Sequence, residues 1–228
     1  MDNRPVPLLR IALAHWPIKL WLFPALAIFY GGGYWVIQRH LCRPPIHFPM
    51  LAIDRWVPFS PEWIGVYQSI YLMLPVAFLA GTRDELRRFA LGLLGFTLAS
   101  FACFIVLPVC GPRLASCPTA GMYGFLVRND LPFNTFPSLH MAAAAYFCCV
   151  AIQLTSGRLR RICIVVFPIW VLLIACSTMA TKQHYFVDIP SGVLLGWIAQ
   201  RVAWRVGRSN APRRQQREQR AESGSGSV

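Results

Sequence analysis

The chain has 228 residues, of which 56% are hydrophobic and only 14% charged, with a mean hydropathy of +0.47. Soluble domains carry about 25% charged residues, so a soluble enzyme, a disordered regulator and a small disulfide scaffold are all poor fits. The 22 Lys+Arg against nine Asp+Glu, net +13, would suggest a nucleic-acid partner in a soluble protein, but in so apolar a chain they report membrane orientation instead.

A bilayer-spanning helix needs about 20 mostly apolar residues. In chain order the sequence offers six: Lys19–Gln38, Glu62–Gly81, Phe89–Cys110, Ser138–Ser156, Ile162–Thr181 and Tyr185–Trp204. Trp16, Trp21 and Trp35 around the first suit an aromatic belt, and His15, His40 and His47 fall near span ends as interface residues. Between the first two spans, Asp54, Arg55, Trp56 and Trp63 suggest an interfacial helix, a lid or an anchor. The third stretch holds no charged residue at all, whereas the sixth is the least regular, with Asp188, Pro190 and Gln200. The predicted fold is an all-α integral membrane protein: one six-helix domain over residues 1–206, with no evident repeat or signal peptide. Residues 207–228 are polar, Arg-rich and Ser/Gly-ended, and are predicted to be a disordered basic cytoplasmic tail.

If the N-terminus is cytoplasmic, sixteen of the 22 Lys+Arg fall on the cytoplasmic side and six, including Arg113, Arg128 and Lys182, on the other. The positive-inside rule therefore places both termini in the cytoplasm. None of the eight cysteines has zinc-site spacing. Cys110 and Cys117 flank a loop on the non-cytoplasmic side and could pair if that compartment is oxidising.

The chemistry concentrates at the outer ends of the last four spans, where ionisable groups are costly and therefore candidates for function. Three segments fall on the same face: Pro108-Val-Cys-Gly-Pro-Arg113, Phe136-Pro-Ser-Leu-His140, and the stretch from Ser177 to Asp188. His184 and Asp188 are four apart, which on a helix gives them one face. A carboxylate on Nδ1 would leave Nε2 as nucleophile or base, or the pair would be a structural bond. Pro137 reads as a first-turn proline, with Ser138 and His140 following in that turn, Ser138 as a cap or an anion ligand. Arg113 suits bidentate contact with phosphate, or snorkels, and Lys182 invites the same two readings. Two histidines, a carboxylate, a serine at a helix start and two cations make up the parts list for phosphoryl transfer.

These segments resemble the type-2 phosphatidic acid phosphatase superfamily, whose motifs are Lys with Arg-Pro, Pro-Ser-Gly-His, and Ser-Arg followed after five residues by His-x-x-x-Asp. The resemblance covers Phe89 to Trp204. It implies six helices with the active site at the non-cytoplasmic face, His184 as the nucleophile that becomes a phosphohistidine, Asp188 orienting it, and His140 as acid and base. It also implies Ser138 and Arg113 on the phosphate, where Lys182 or Arg128 could add a compensating cation, and a metal-free, cofactor-free reaction that survives a chelator. Leu139 replaces the motif glycine, Val106 stands where the motif lysine would, Pro112-Arg113 inverts Arg-Pro, and Thr178 holds the arginine position. Fewer cations suit a singly charged phosphodiester better than a monoester. The pattern looks like the inositol phosphorylceramide synthase and sphingomyelin synthase branch. The expected activity is head-group transfer from a phospholipid to a lipid acceptor, with lipid-phosphate dephosphorylation the alternative. The expected partners are the membrane and a phospholipid or lipid phosphate, with no nucleic acid. Short loops favour a bacterial inner membrane, the site facing the periplasm or exterior.

A non-catalytic transporter also accommodates six spans with buried polar groups, but here those groups gather at one face instead of lining a path. His140, His184 and Asp188 could bind zinc or iron in a metal enzyme. The Gly-x-Ser of an intramembrane serine protease occurs only in the tail.

Overall fold

The apolar stretches of the sequence become the long helices of an all-helical molecule. The computed structural model describes residues 7–40, 43–114, 116 and 118–209. Helix α1 (Leu8–Leu13) leads into α2 (Trp16–Arg39), and the short α3 (Ala52–Trp56) follows in the first connection. A rod over Pro61–Leu79 comes next, made of a 3₁₀ turn (Pro61–Trp63), α4 (Ile64–Gln68) and a 3₁₀ segment (Ser69–Leu79). Then come α5 (Arg83–Val106), α6 (Gly121–Asn129), α7 (Leu139–Leu154), α8 (Gly157–Ala180) and α9 (Asp188–Ser209). Among the described residues no strand forms, only an isolated bridge between Ile46 and Val109.

Four elements are long and apolar enough to cross a bilayer: α2, the rod, α5 and α8. Helix α7 has 16 residues, about 24 Å at 1.5 Å per residue, short of the ~30 Å of a hydrocarbon core. It is also the central helix, buried on nearly every side by α9, α8, α5 and the rod, as expected of a helix that is apolar all round. Large apolar side chains such as Trp21, Ile28, Leu98, Val165, Leu172 and Leu194 are exposed on the outside. A water-facing surface does not tolerate that much exposed hydrocarbon, and the chain is an integral membrane protein.

Local rules set the boundaries. Helix α5 begins at a capping box: Glu85 N–H donates to Thr82 Oγ1 at 3.1 Å, while Glu85 Oε2 accepts from Thr82 N–H at 3.0 Å. Its start therefore lies six residues before the predicted Phe89, and it stops at Val106, not Cys110. In the rod, Tyr67, Ile70, Met73 and Val76 are buried at a spacing of three, the ridge that a three-residue turn presents. The sixth predicted span starts later, at Asp188, and continues to Ser209, so the first residues assigned to a disordered tail are helical; residues 210–228 lie outside the described residues. Cys117 lies outside them too, so the Cys110–Cys117 pairing falls beyond the description. Lys19, the first residue of the first predicted span, is buried and donates to the carbonyls of Ile11, Ala12 and Phe78, each at 3.0 Å.

Helices α7 and α9 approach closely through Gly192 and Gly196. A Cβ at Gly192 would strike the Ser138 carbonyl, and one at Gly196 the Ala142 carbonyl. This small-residue spacing is how helices pack where water supplies no drive between them. It seats the start of α9 against the start of α7, and the site forms there.

Candidate active site

The site is built from three connections whose backbones are tied together. Thr135 N–H donates to Val109 O at 3.3 Å, Gly111 N–H to Pro132 O at 2.7 Å, and Ser138 N–H to Asp188 O at 3.1 Å. Gly111 is needed at its position, since a Cβ there would lie 2.8 Å from the Gln183 carbonyl. The loop after α8 is held by Thr178 O, which accepts from Gln183 N–H at 3.0 Å. Thr178, in the motif's arginine position, thus contributes a backbone carbonyl and no charge.

His184 is in this loop rather than on a helix, while Asp188 opens α9. The pair still meets, because the turn folds the ring back onto the helix start. Nδ1 lies 3.3 Å from Asp188 Oδ2 and 3.1 Å from Thr135 O. Both are acceptors, so Nδ1 carries the proton and the lone pair of the neutral ring is on Nε2. Nε2 faces Ser138 Oγ at 3.1 Å. Ser138 is the N-cap of α7, its Oγ accepting Met141 N–H at 3.2 Å, so its own hydroxyl proton can go to Nε2. Pro137, expected in the first turn, precedes this cap. Asp188 is fully buried, and its Oδ2 also accepts Tyr185 N–H at 2.9 Å.

His140, in the first turn of α7, places Nε2 2.9 Å from Tyr67 O and stacks on the Tyr67 ring at 4.1 Å. A carbonyl partner fixes the proton on Nε2 and makes Nδ1 the nitrogen that can exchange one. His140 and His184 line one cavity of about 840 Å³ between α2, the rod, α5 and α7. Leu26, Ile70, Leu74, Phe89 and Leu93 make most of its wall apolar, and Tyr34, Asp130 and Asn134 are among its polar lining residues.

Neither predicted phosphate cation lines this cavity. Lys182 Nζ donates to Asp54 O at 2.7 Å and Val57 O at 2.6 Å, and burial lowers its pKa against the pull of Asp54. Arg113 Nε donates to Gln183 Oε1 at 2.9 Å, and Nη2 pairs with Asp130 Oδ2 at 3.0 Å. Asp130 Oδ1 accepts from the Tyr34 hydroxyl at 2.9 Å. Burial raises the Asp130 carboxyl above the usual range, opposed by Arg113 and Tyr34. Arg128 donates to Thr119 O. Among the described residues no three of His, Cys, Asp and Glu cluster as a metal site.

Sequence reasoning missed several members of this arrangement. Asp54, noticed as part of a lid or anchor, is buried and clamps the loop that carries His184, its Oδ1 accepting Phe186 N–H at 2.7 Å and its Oδ2 Leu51 N–H at 2.9 Å. A carboxylate among only nine Asp+Glu in an apolar chain was the available signal. Thr135 O and Tyr67 O meet the two histidines as main-chain carbonyls, for which no side-chain signal exists.

A family model described as the PAP2 superfamily matches residues 50–202. The matched region begins well before Phe89 and so takes in Asp54 and Tyr67. Comparison with curated proteins and with solved structures returned no match.

Proposed function

The chain belongs to the PAP2 superfamily, and from that premise we propose that it is a membrane enzyme moving a phospho-head group through a phosphohistidine on His184. The reaction is transfer from a phospholipid to a lipid acceptor. The observation that carries it is the set of contacts around His184: two acceptors on Nδ1, a serine hydroxyl on Nε2, and an apolar cavity leading to the ring.

In the first half-reaction the Nε2 lone pair attacks phosphorus and the ester P–O bond breaks. His140 in its protonated form gives the Nδ1 proton to the departing alkoxide and returns to the neutral ring held by Tyr67 O. Ser138 turns its hydroxyl from Nε2 to a phosphoryl oxygen, so the lone pair is released as substrate arrives. In the second half an acceptor hydroxyl loses its proton to His140 Nδ1 and attacks phosphorus, and the N–P bond breaks to restore His184. Asp188 and Thr135 O hold the ring throughout.

Charge favours a diester. A monoester brings nearly two negative charges and a diester one, yet Arg113 is paired with Asp130 and Lys182 is spent on two carbonyls. This adds to the motif cations replaced by Val106 and Thr178, and it supports the inositol phosphorylceramide synthase-like branch over a phosphatase. Hydrolysis shares the first half-reaction and differs in using water as the acceptor. We place α2, the rod, α5, α7, α8 and α9 across a bacterial inner membrane, both termini cytoplasmic and the site on the periplasmic side.

The test is turnover by purified protein and its His184→Ala variant, with products identified by mass spectrometry. The expected result is an exchanged lipid from the wild type and none from the variant. Inorganic phosphate released from a monoester with no exchange product would refute transfer, and turnover by the variant would refute the histidine mechanism.

A further inference from the structure

Buried polar side chains nearly always find hydrogen-bond partners, so one that does not needs a reason. Asn134 is 2% exposed, and among the described residues neither its Nδ2 nor its Oδ1 has a partner. Its backbone is left-handed, with φ at +67°. Asparagine tolerates that conformation, but glycine adopts it with no amide to desolvate. The conformation therefore explains a small or asparagine-like residue and leaves the buried, unpaired amide unexplained. Asn134 is among the residues that line the cavity shared by His184 and His140. On the rod, Gln68 also lines this cavity, and its Oε1 is buried with no partner among the described residues.

The atoms left unpaired define what would satisfy them. Nδ2 needs an acceptor, whereas Asn134 Oδ1 and Gln68 Oε1 need donors. An ionised phosphodiester offers acceptors only, and an alcohol hydroxyl supplies the donor. We infer that Asn134 is a substrate-binding residue, its Nδ2 donating to a non-bridging phosphoryl oxygen and its Oδ1 accepting from a hydroxyl of the head group or acceptor alcohol. This rests on the function proposed above and extends it to a hydroxylated phosphodiester as the class of ligand. The neighbouring backbone supports that placement: Thr135 O lies 3.1 Å from His184 Nδ1, so Asn134 is next in the chain to the residue that supports the ring.

The experiment uses the full chain in detergent micelles with dioctanoyl phosphatidylglycerol, a diester with a hydroxylated head group. Its Kd is followed by tryptophan fluorescence and its turnover by dioctanoylglycerol release. Asn134→Gly and Asn134→Asp both accept the left-handed backbone. Glycine removes the contacts, while aspartate keeps the shape and sets a negative charge beside the phosphate. The expected order of affinity is wild type, then glycine weaker by about tenfold for two lost hydrogen bonds, then aspartate weaker again. A merely structural role predicts aspartate close to wild type and glycine the worse variant, and that order overturns the inference. Equal affinity in all three overturns it as well. Repeating the Kd series in a His184→Ala background separates the two claims: turnover in that background sinks the phosphohistidine, whereas the order of affinities decides Asn134 by itself.

Discussion

Replacing Asp188 by asparagine separates two jobs that a carboxylate beside a histidine can do. One is to fix which nitrogen carries the proton; the other is to supply negative charge as the ring turns positive. Here the first job is shared, because Thr135 O lies 3.1 Å from Nδ1, closer than Asp188 Oδ2 at 3.3 Å, and a carbonyl can only accept. The amide of the variant is also oriented. Tyr185 N–H, 2.9 Å from Oδ2, requires an acceptor there, so the amide oxygen takes that place and the NH₂ takes the place of Oδ1, which has no partner among the described residues. The tautomer and the ring position survive, and what is lost is charge. Converting one charge-assisted bond to a neutral one costs about 1–2 kcal/mol, or roughly 5- to 30-fold in rate. An amide that imposed the wrong tautomer would cost about 10⁴-fold. Single-turnover release of diacylglycerol from a short-chain phospholipid, with acid-labile label trapped on the protein, measures the difference. A loss near 10⁴-fold would show that Thr135 O does not hold the ring, and no loss would show that the carboxylate supplies no charge stabilisation; either refutes the reasoning.

Two further outcomes follow from packing and charge. Gly196→Ala drives a methyl into the Ala142 backbone, which cannot swing aside, so an overpacking cost of about 1–3 kcal/mol should lower the unfolding temperature in detergent by several degrees. Gly95→Ala, with nothing within 4 Å of the new methyl, is the matched control and should be neutral or slightly stabilising. Asp130→Asn removes the charge paired with Arg113 and should improve the KM for a phosphate monoester about tenfold relative to a diester, alongside a lower unfolding temperature. Because burial raises the Asp130 carboxyl, lowering the pH protonates it sooner than an ordinary aspartate and should move the wild type the same way. An unchanged monoester-to-diester ratio in both experiments would remove Arg113 from the account.

Much of this arrangement was legible in the sequence because it depends on period and on rarity. The apolar runs gave the long helices, and the scarcity of ionisable groups drew attention to His140, His184, Asp188 and Arg113. Spacing misled where backbone winding changed. His-x-x-x-Asp reads as one helix face, yet the contact comes from a loop closing onto the first residue of α9. The three-residue rhythm of Tyr67, Ile70, Met73 and Val76 was present in the sequence and marked a 3₁₀ rod, but an apolar run long enough to span suggests an α-helix first. The destinations of Lys182 and Arg113 were not legible. A cation's partner depends on which carbonyls and carboxylates the fold brings within 3 Å, and Asp54 and Asp130 come from segments 128 and 17 residues away.

The main-chain anchors of the two histidines have a consequence for how this protein tolerates change. His184 Nδ1 and His140 Nε2 each rest on a peptide oxygen, of Thr135 and Tyr67. No codon change deletes a peptide oxygen, so the tautomers of both rings are insulated from point mutation as long as the loops keep their course. An alanine scan would report the Tyr67 ring that stacks on His140 and the Thr135 hydroxyl that donates to Val109 O, and would leave both peptide oxygens in place. Change at residues 67 and 135 can therefore cost the stacked ring or the hydroxyl, while the histidines keep their proton positions.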